Sequence, residues 1–419
     1  VPTRGSASRA SKEFYETQRF DKIHKAYLIQ RRSQELGHMI MRNKTRSFMA
    51  VFSSASFLND FGSDMIYPVW PLFVTSFLGA DVTILGFIDG LGDAVVSMSQ
   101  AGSGYLSDRL RKRKIFIWTG YLFGSLSRIG YALSTVWQPL IPFRVLDRSG
   151  KIRGAPRDAI VADISTRENR GRNFGLLRAM DHLGAVCGVI ACILLFTYLG
   201  YKKLFLLASI PSLISALLIL TFIRDRKTQR IHKGISLKDL TLNLKFFLLL
   251  SALFALGSFS YSFLLVYAEE FGFEITFIPV LYLVFTAVAS LMSLPFGKLA
   301  DKLSRKAVLV LSYFFWGLTC LGFIYIQSYT GIVLLFVLYG LHKAAIEPVQ
   351  RTFVSELSPT KYRASVLGAF QMTMGLCALP ASLIAGLLWF NFGIFAPFYF
   401  SLALTGLAAA LMLFVKEQA

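Results

Sequence analysis

The side chains in this sequence that could do chemistry stand where charge is least welcome, inside long apolar runs. Between Leu140 and Ile164 lie Arg144, Asp147, Arg148, Lys151, Arg153, Arg157, Asp158 and Asp163. Neighbouring runs carry Asp60 and Asp64, Asp89 and Asp93, Arg128, and the group Arg178, Asp181 and His182. At about 100° per residue, Arg144, Asp147, Arg148, Lys151 and Asp158 share one helix face, while Arg153 and Arg157 fall on the other. A guanidinium fork matches the two oxygens of a carboxylate or phosphate, so Arg144, Arg148 and Lys151 are candidates for holding an organic anion. Moving a proton needs a group that changes charge, and a buried carboxylate or a histidine can do so. Asp60 with Asp64 and Asp89 with Asp93 form i,i+4 pairs, and Arg178 precedes Asp181 and His182 by three and four residues. These are rival proton-coupling sites that spacing alone does not rank. Eight Asp face seven Lys or Arg in these runs, so mutual neutralisation in a structural network is the competing reading.

Such charges need elements able to hold them. Of 419 residues, 54% are apolar and 16% charged, against about 45–50% and about 25% in soluble domains. That balance excludes a disordered chain. Cys187, Cys192, Cys320 and Cys377 lack C-x-x-C spacing and suggest neither disulfide nor metal site. A net charge of +20 would suit nucleic acid, but the basic residues border apolar runs instead of forming one face, so nucleic acid is not an expected partner. Twelve runs of about 20 residues follow one another, from Phe48–Leu78 through Leu140–Ile164 to Phe395–Phe414. Each is long enough to cross a hydrocarbon core of roughly 30 Å. Lipid offers the backbone no partners, so each is expected to be a helix. The expected class is an all-α, multi-pass integral membrane protein.

The connections alternate in charge. Arg109 to Lys114, Arg167 to Arg172, Arg224 to Lys245 and Lys298 to Lys306 fall on one side, while the other has little beyond Lys202 and Lys203. Lys and Arg are in excess on the cytoplasmic side. Both termini are therefore expected there, with the basic face against anionic lipid headgroups of the plasma (inner) membrane. Residues 1–47 contain no apolar run; Phe20, Ile23, Tyr27 and Leu28 fit a basic surface helix, and a solvated tail fits equally. The sequon at Asn43 lies on the cytoplasmic side and is discounted.

Self-similarity organises the membrane part. Gly104–Lys114, GYLSDRLRKRK, realigns with Gly297–Ala307, GKLADKLSRKA, an offset of 193 residues. At the same offset Asp163 meets Glu356, Ser165 meets Ser358, Arg170 meets Arg363 and Gly175 meets Gly368. This divides the chain into an extension (1–47), a six-helix half (48–223), a polar linker (224–245) and a second six-helix half (246–419).

Twelve helices in two halves, each with G-x-L-x-D-R/K-x-x-R/K-R/K between its second and third helix, resemble the major facilitator superfamily over roughly residues 47–416. The resemblance implies a monomeric secondary transporter without cofactor or metal, whose halves rock about a central solute site. It points to Gly104, Asp108, Arg109, Arg113, Asp163, Gly297, Asp301, Arg305 and Glu356 as gating residues. The superfamily's helix 4 pattern R-x-x-Q-G places its Arg at Arg144, with Asp147 and Arg148 at the Gln and Gly positions. Gly175, Gly184 and Gly188 match glycines of the antiporter motif, but Val189, Cys192 and Ile193 replace its Pro and two Gly, so export is not assigned. Tyr261 and Tyr267 on helix 7 are the candidate aromatic contacts. The expected function is proton-coupled transport of a small organic anion by alternating access. Efflux of lipophilic cations and a non-transporting membrane sensor are the alternatives. An ATP-binding loop and a defensible catalytic group are not found, so no enzyme is expected.

Overall fold

The computed structural model describes residues 47–110, 112–164, 170–223, 241–358 and 363–417. The extension and most of the linker thus lie outside the described residues. Residues 47–50 are helical, and 51–419 form the body of the molecule.

All regular structure among the described residues is helical. The N-terminal half comprises α1 (47–64), α2 (Trp70–Leu72) continued by a π-turn (Phe73–Phe77), α3 (Val82–Leu110), α4 (Lys114–Leu133), α5 (Leu140–Ser149), a 3-10 turn (Gly150–Arg153), α6 (Gly154–Ile164) and α7 (Arg170–Phe222). The C-terminal half comprises α8 (Leu242–Gly257), α9 (Ser262–Phe271), α10 (Ile278–Lys302), α11 (Arg305–Tyr325), α12 (Tyr329–Leu357), α13 (Arg363–Phe392) and α14 (Ala396–Met412). α1 with α2, α5 with α6, and α8 with α9 are single crossings broken in the middle. α7 makes two crossings, folding back at Gly200, whose φ of +63° is the left-handed region that glycine alone enters freely. Twelve crossings result. Seven stretches among the described residues are, by length and composition, apolar enough to cross a membrane as they stand. Charge in crossing four and the breaks account for part of the rest.

The breaks have local causes. Pro68 and Pro71 remove two amides from the first run, and residues 65–69 form turns. In crossing seven, Ser258 takes extended backbone angles after Gly257. In crossing four, the 3-10 turn advances about 120° per residue instead of about 100°, which rotates everything beyond Gly150 relative to an unbroken helix.

The halves meet along α3 and α13. A Cβ on Gly90 would lie 2.6 Å from Leu379 Cα, and one on Gly375 would lie 1.7 Å from Ser97 Oγ. Backbones can approach this closely only where side chains are absent. Gly184 and Gly188 serve α1 in the same way, their absent Cβ atoms falling 2.3 Å from the carbonyl oxygens of Phe57 and Phe61.

Candidate solute-binding cavity

The three broken crossings deliver the side chains around a central cavity of about 420 Å³. Arg144 on α5 is 2% exposed. Its Nη2 donates to Asp89 Oδ1 at 2.7 Å, and its guanidinium lies 4.4 Å from the centre of the Trp70 ring. Trp70 Nε1 donates to the same oxygen at 3.0 Å. The other oxygen of Asp89 accepts from Ser260 at 2.9 Å and from Ser262. Four donors thus surround one carboxylate in a setting of low dielectric, where a full set of partners is what makes a buried charge tolerable.

Arg148, one turn further on, donates to the Tyr67 hydroxyl at 3.1 Å, covers that ring at 5.0 Å, and lies 3.8 Å from Asp147. Arg144 leaves two buried donors, Nε and Nη1, without a hydrogen-bond acceptor, and Arg148 Nε has only its 3.8 Å ion pair with Asp147. Gly92 makes room for both, since its Cβ would sit 3.1 Å from Arg144 Nε and 3.2 Å from Arg148 Cγ. The facing wall comes from the C-terminal half. Tyr261 and Tyr282 pack edge to face at 5.3 Å, and Lys343 lies 5.7 Å from the Tyr339 ring. His342, buried beside them, shares a hydrogen bond with Ser312 at 2.9 Å. Asp93, Glu347, Gln350, Met374 and Ala378 line both this cavity and an adjoining one of about 390 Å³ that reaches Arg351 and Phe370. The cleft therefore runs from the arginines toward the end of the bundle that carries the basic loops.

The Major Facilitator Superfamily model matches residues 52–245 and again 246–419. The chain belongs to that superfamily. An uncharacterized MFS-type transporter of Methanocaldococcus jannaschii is 39% identical over 346 residues, 80% of this chain and 86% of that one. Among solved structures, a mutant form of the nucleoside transporter NupG superposes with a TM-score of 0.73 at 18% identity, covering 87% of this chain and 98% of that chain. A D-xylose–proton symporter does so with 0.70 at 15%, covering 88% and 98%. The protein is thus a multi-pass membrane transporter of the major facilitator fold.

In this transporter the candidate residues divide into groups. Arg144, Arg148, Asp89, Asp93 and Tyr261 line the cavity. Lys151 and Asp158, expected on the face of Arg144, do not; both stand further along crossing four, toward the basic end. Lys151 lies in the 3-10 turn, and Asp158 joins a separate network with Arg157, Arg178 and Asp181 at 3.1–3.4 Å. Arg157 also donates to Ser56 at 2.7 Å, while His182 is exposed. Asp60 lies 4.0 Å from Arg153, and Asp64 accepts from Tyr282 at 3.3 Å across the halves. Tyr267 lies outside the cavity, packed against Phe323 and Phe398.

At the basic end Arg113 pairs with Asp163 at 2.6 Å and Arg305 with Glu356 at 2.9 Å. Each half therefore ties the loop after its second crossing to the end of its fourth. Arg109 ends α3 in an exposed position, and a Cβ on Gly297 would meet nothing within 4 Å. The side chains of Asp108 and Asp301, and the surroundings of Gly104, lie outside the described residues.

Tyr67 and Ser260 are lining residues that escaped the sequence reading, with Gly92 and Trp70 behind the arginines. The two prolines beside Tyr67 and Trp70 and the Gly-Ser-rich stretch at 257–262 were the available signals. Both mark places where a membrane helix opens and its polar side chains turn inward.

Proposed function

We propose that this superfamily member is a proton-coupled secondary transporter of a small organic anion, working by alternating access. The observation that carries the reading is the pair of arginines lining the cavity, Arg144 and Arg148, of which Arg144 keeps two buried guanidinium donors, Nε and Nη1, without an acceptor. A buried donor without an acceptor costs roughly 1–3 kcal/mol, more when charged. An entering carboxylate or phosphate that accepts from Arg144 and Arg148 recovers that cost.

Charge balance supports coupling to protons. The cavity is lined by Asp89, Asp93 and Glu347 against Arg144, Arg148 and Lys343. An anion entering this balanced site leaves uncompensated negative charge in a poorly screened space, and a proton on a carboxylate restores balance. Asp89 is fully hydrogen-bonded, whereas Asp93 is open to the cavity and forms no ion pair within 4.0 Å among the described residues. Asp93 is therefore the favoured proton carrier over Asp60, Asp64 and the Arg178–Asp181–His182 group. By the excess of Lys and Arg, the basic end faces the cytoplasm of the plasma (inner) membrane, and the Arg113–Asp163 and Arg305–Glu356 pairs steady the gate there.

A thermal-shift panel of organic anions, zwitterions and lipophilic cations on the purified protein at two pH values tests this. A ligand at 100 times its Kd adds about 2.7 kcal/mol to the bound state. The expected result is stabilisation by anions, stronger at the lower pH, that Arg148→Ala removes and whose pH dependence Asp93→Asn abolishes. Stabilisation by lipophilic cations alone would overturn the reading and make Asp93 and Glu347 the ligands of an effluxed cation. Counterflow in proteoliposomes separates transport from a sensor.

A further inference from the structure

Asp89 belongs to the N-terminal half, but two of its four donors, Ser260 and Ser262, belong to the C-terminal half. α3 starts at Val82, at the end remote from the basic loops. At 1.5 Å per residue, Asp89 lies about 10 Å in from that end. Two further bonds cross between the halves in the same region. Tyr282 stands 193 residues after Asp89, at the repeat-equivalent position, and donates to Asp64 at 3.3 Å. Nearer the end, Ser76 donates to Glu269 at 2.6 Å, and these two are themselves 193 residues apart. The pattern is reciprocal: crossing two offers a carboxylate to hydroxyls of crossing seven, and crossing eight offers a hydroxyl to a carboxylate of crossing one.

The geometry points to Asp89, Ser260 and Ser262 as a polar latch that holds the halves together at the end remote from the basic loops, with Tyr282–Asp64 as its pseudo-symmetric second catch. Hydrogen bonds to an ionised acceptor are about twice as strong as neutral ones, so the latch depends on the charge of Asp89. Arg144 and Trp70 hold that charge in place from the N-terminal half. The other ionisable groups around Asp89 are Arg148 on α5, Tyr261 between α8 and α9, and Asp93 one turn along α3. Ser260 and Ser262 sit where crossing seven is broken, and an unbroken helix there would keep its hydroxyls for its own carbonyls. Ser262 is completely buried and does not line the cavity, so it is a positioning residue whose removal tests the latch apart from solute binding. A consequence, which rests on the anion reading above, is that solute and latch share Arg144, so that a bound anion loosens the latch.

The test uses the full chain in nanodiscs with spin labels at Val136→Cys and Phe392→Cys, exposed positions of opposite halves at the latched end, on a background with Cys187 and Cys377 replaced by serine. Double electron–electron resonance without any solute is expected to show one dominant separation in the parent and a second, longer one populated at least threefold more in Ser262→Ala. Asp89→Asn is expected to shift the population further, and Ser262→Thr to restore the parent distribution. Identical distributions in the parent, Ser262→Ala and Asp89→Asn overturn the latch. Adding an anion that stabilises the protein is expected to populate the longer separation, and a bound anion that leaves the distribution unmoved removes the sharing of Arg144. If no anion stabilises the protein, the anion reading falls while the Ser262→Ala result still decides the latch.

Discussion

The two halves descend from one pattern and share the same crossings, yet their interiors are held by different physics. Of Asp, Glu, Lys, Arg and His side chains, the N-terminal half buries Asp89, Arg128, Arg144, Arg153 and Arg157; among the described residues of the C-terminal half, His342 is the one that counts with them as buried. Each buried arginine is fixed by directional contacts. Arg128, for instance, donates to the Ala208 carbonyl at 2.8 Å, to Ser63 at 2.6 Å and to Ser212. The C-terminal half instead packs rings. Phe254 stacks on Tyr313 at 4.2 Å, and Trp316 touches Phe259, Tyr339 and His342. Charged networks specify one geometry and tolerate little change; ring packing tolerates exchange of similar volumes. Within lipid, where apolar burial gives no drive for helix association, the first half gains its definition from polar bonds.

The sharpest way to break this contrast is Arg144→Ala. Removing one partner of a buried pair leaves the Asp89 charge stranded, and a loss of about 3–5 kcal/mol is expected in reversible unfolding from detergent. Arg144→Lys is expected to recover only part of it, since an ammonium lacks the planar fork. Next comes Trp70→Phe, which keeps the ring over Arg144 but deletes the indole donor to Asp89; a loss of about 1.5–3 kcal/mol is expected for a bond to a charged group. In the other half Phe254→Leu is expected to cost less than about 1.5 kcal/mol, and a larger loss would show that the aromatic core is as exacting as the charged one. Smallest is Arg178→Ala. Its side chain is 55% exposed despite two partners, so solvent screening leaves it worth about 0–1 kcal/mol. A loss above about 2 kcal/mol there, beyond what a screened surface pair supplies, would place the Arg157–Asp158–Arg178–Asp181 network among the essential supports of the half.

The comparison also shows what the sequence reading could and could not see. It singled out crossing four as a charged element; Val337, Gly340, Leu341 and Ala344, at the repeat-equivalent positions of Arg144, Asp147, Arg148 and Lys151, carry no charge, and the wall of the cavity is built from that asymmetry. It placed Arg144 and Arg148 on one face, and both line the cavity. It placed Lys151 and Asp158 there too, because a helical wheel records angle but not distance along the axis. Tyr267 looked like Tyr261 in sequence, but they fall on opposite sides of a helix start, one in the turn that opens to the cavity and one in the packed helix behind it.

Composition, run length and the 193-residue repeat by themselves determined twelve helices, two related halves and a charged N-terminal interior. Those properties follow from what lipid demands of any chain: internal backbone bonds and apolar length. Only the tertiary structure decided which charges meet. Asp89 finds Arg144 55 residues away and Ser262 173 residues away, across two helix breaks whose angles no periodicity encodes. Partnership at such separations is settled by how packed helices are rotated and where they are interrupted, and a few degrees there decide whether an arginine is tied off or left with donors to offer.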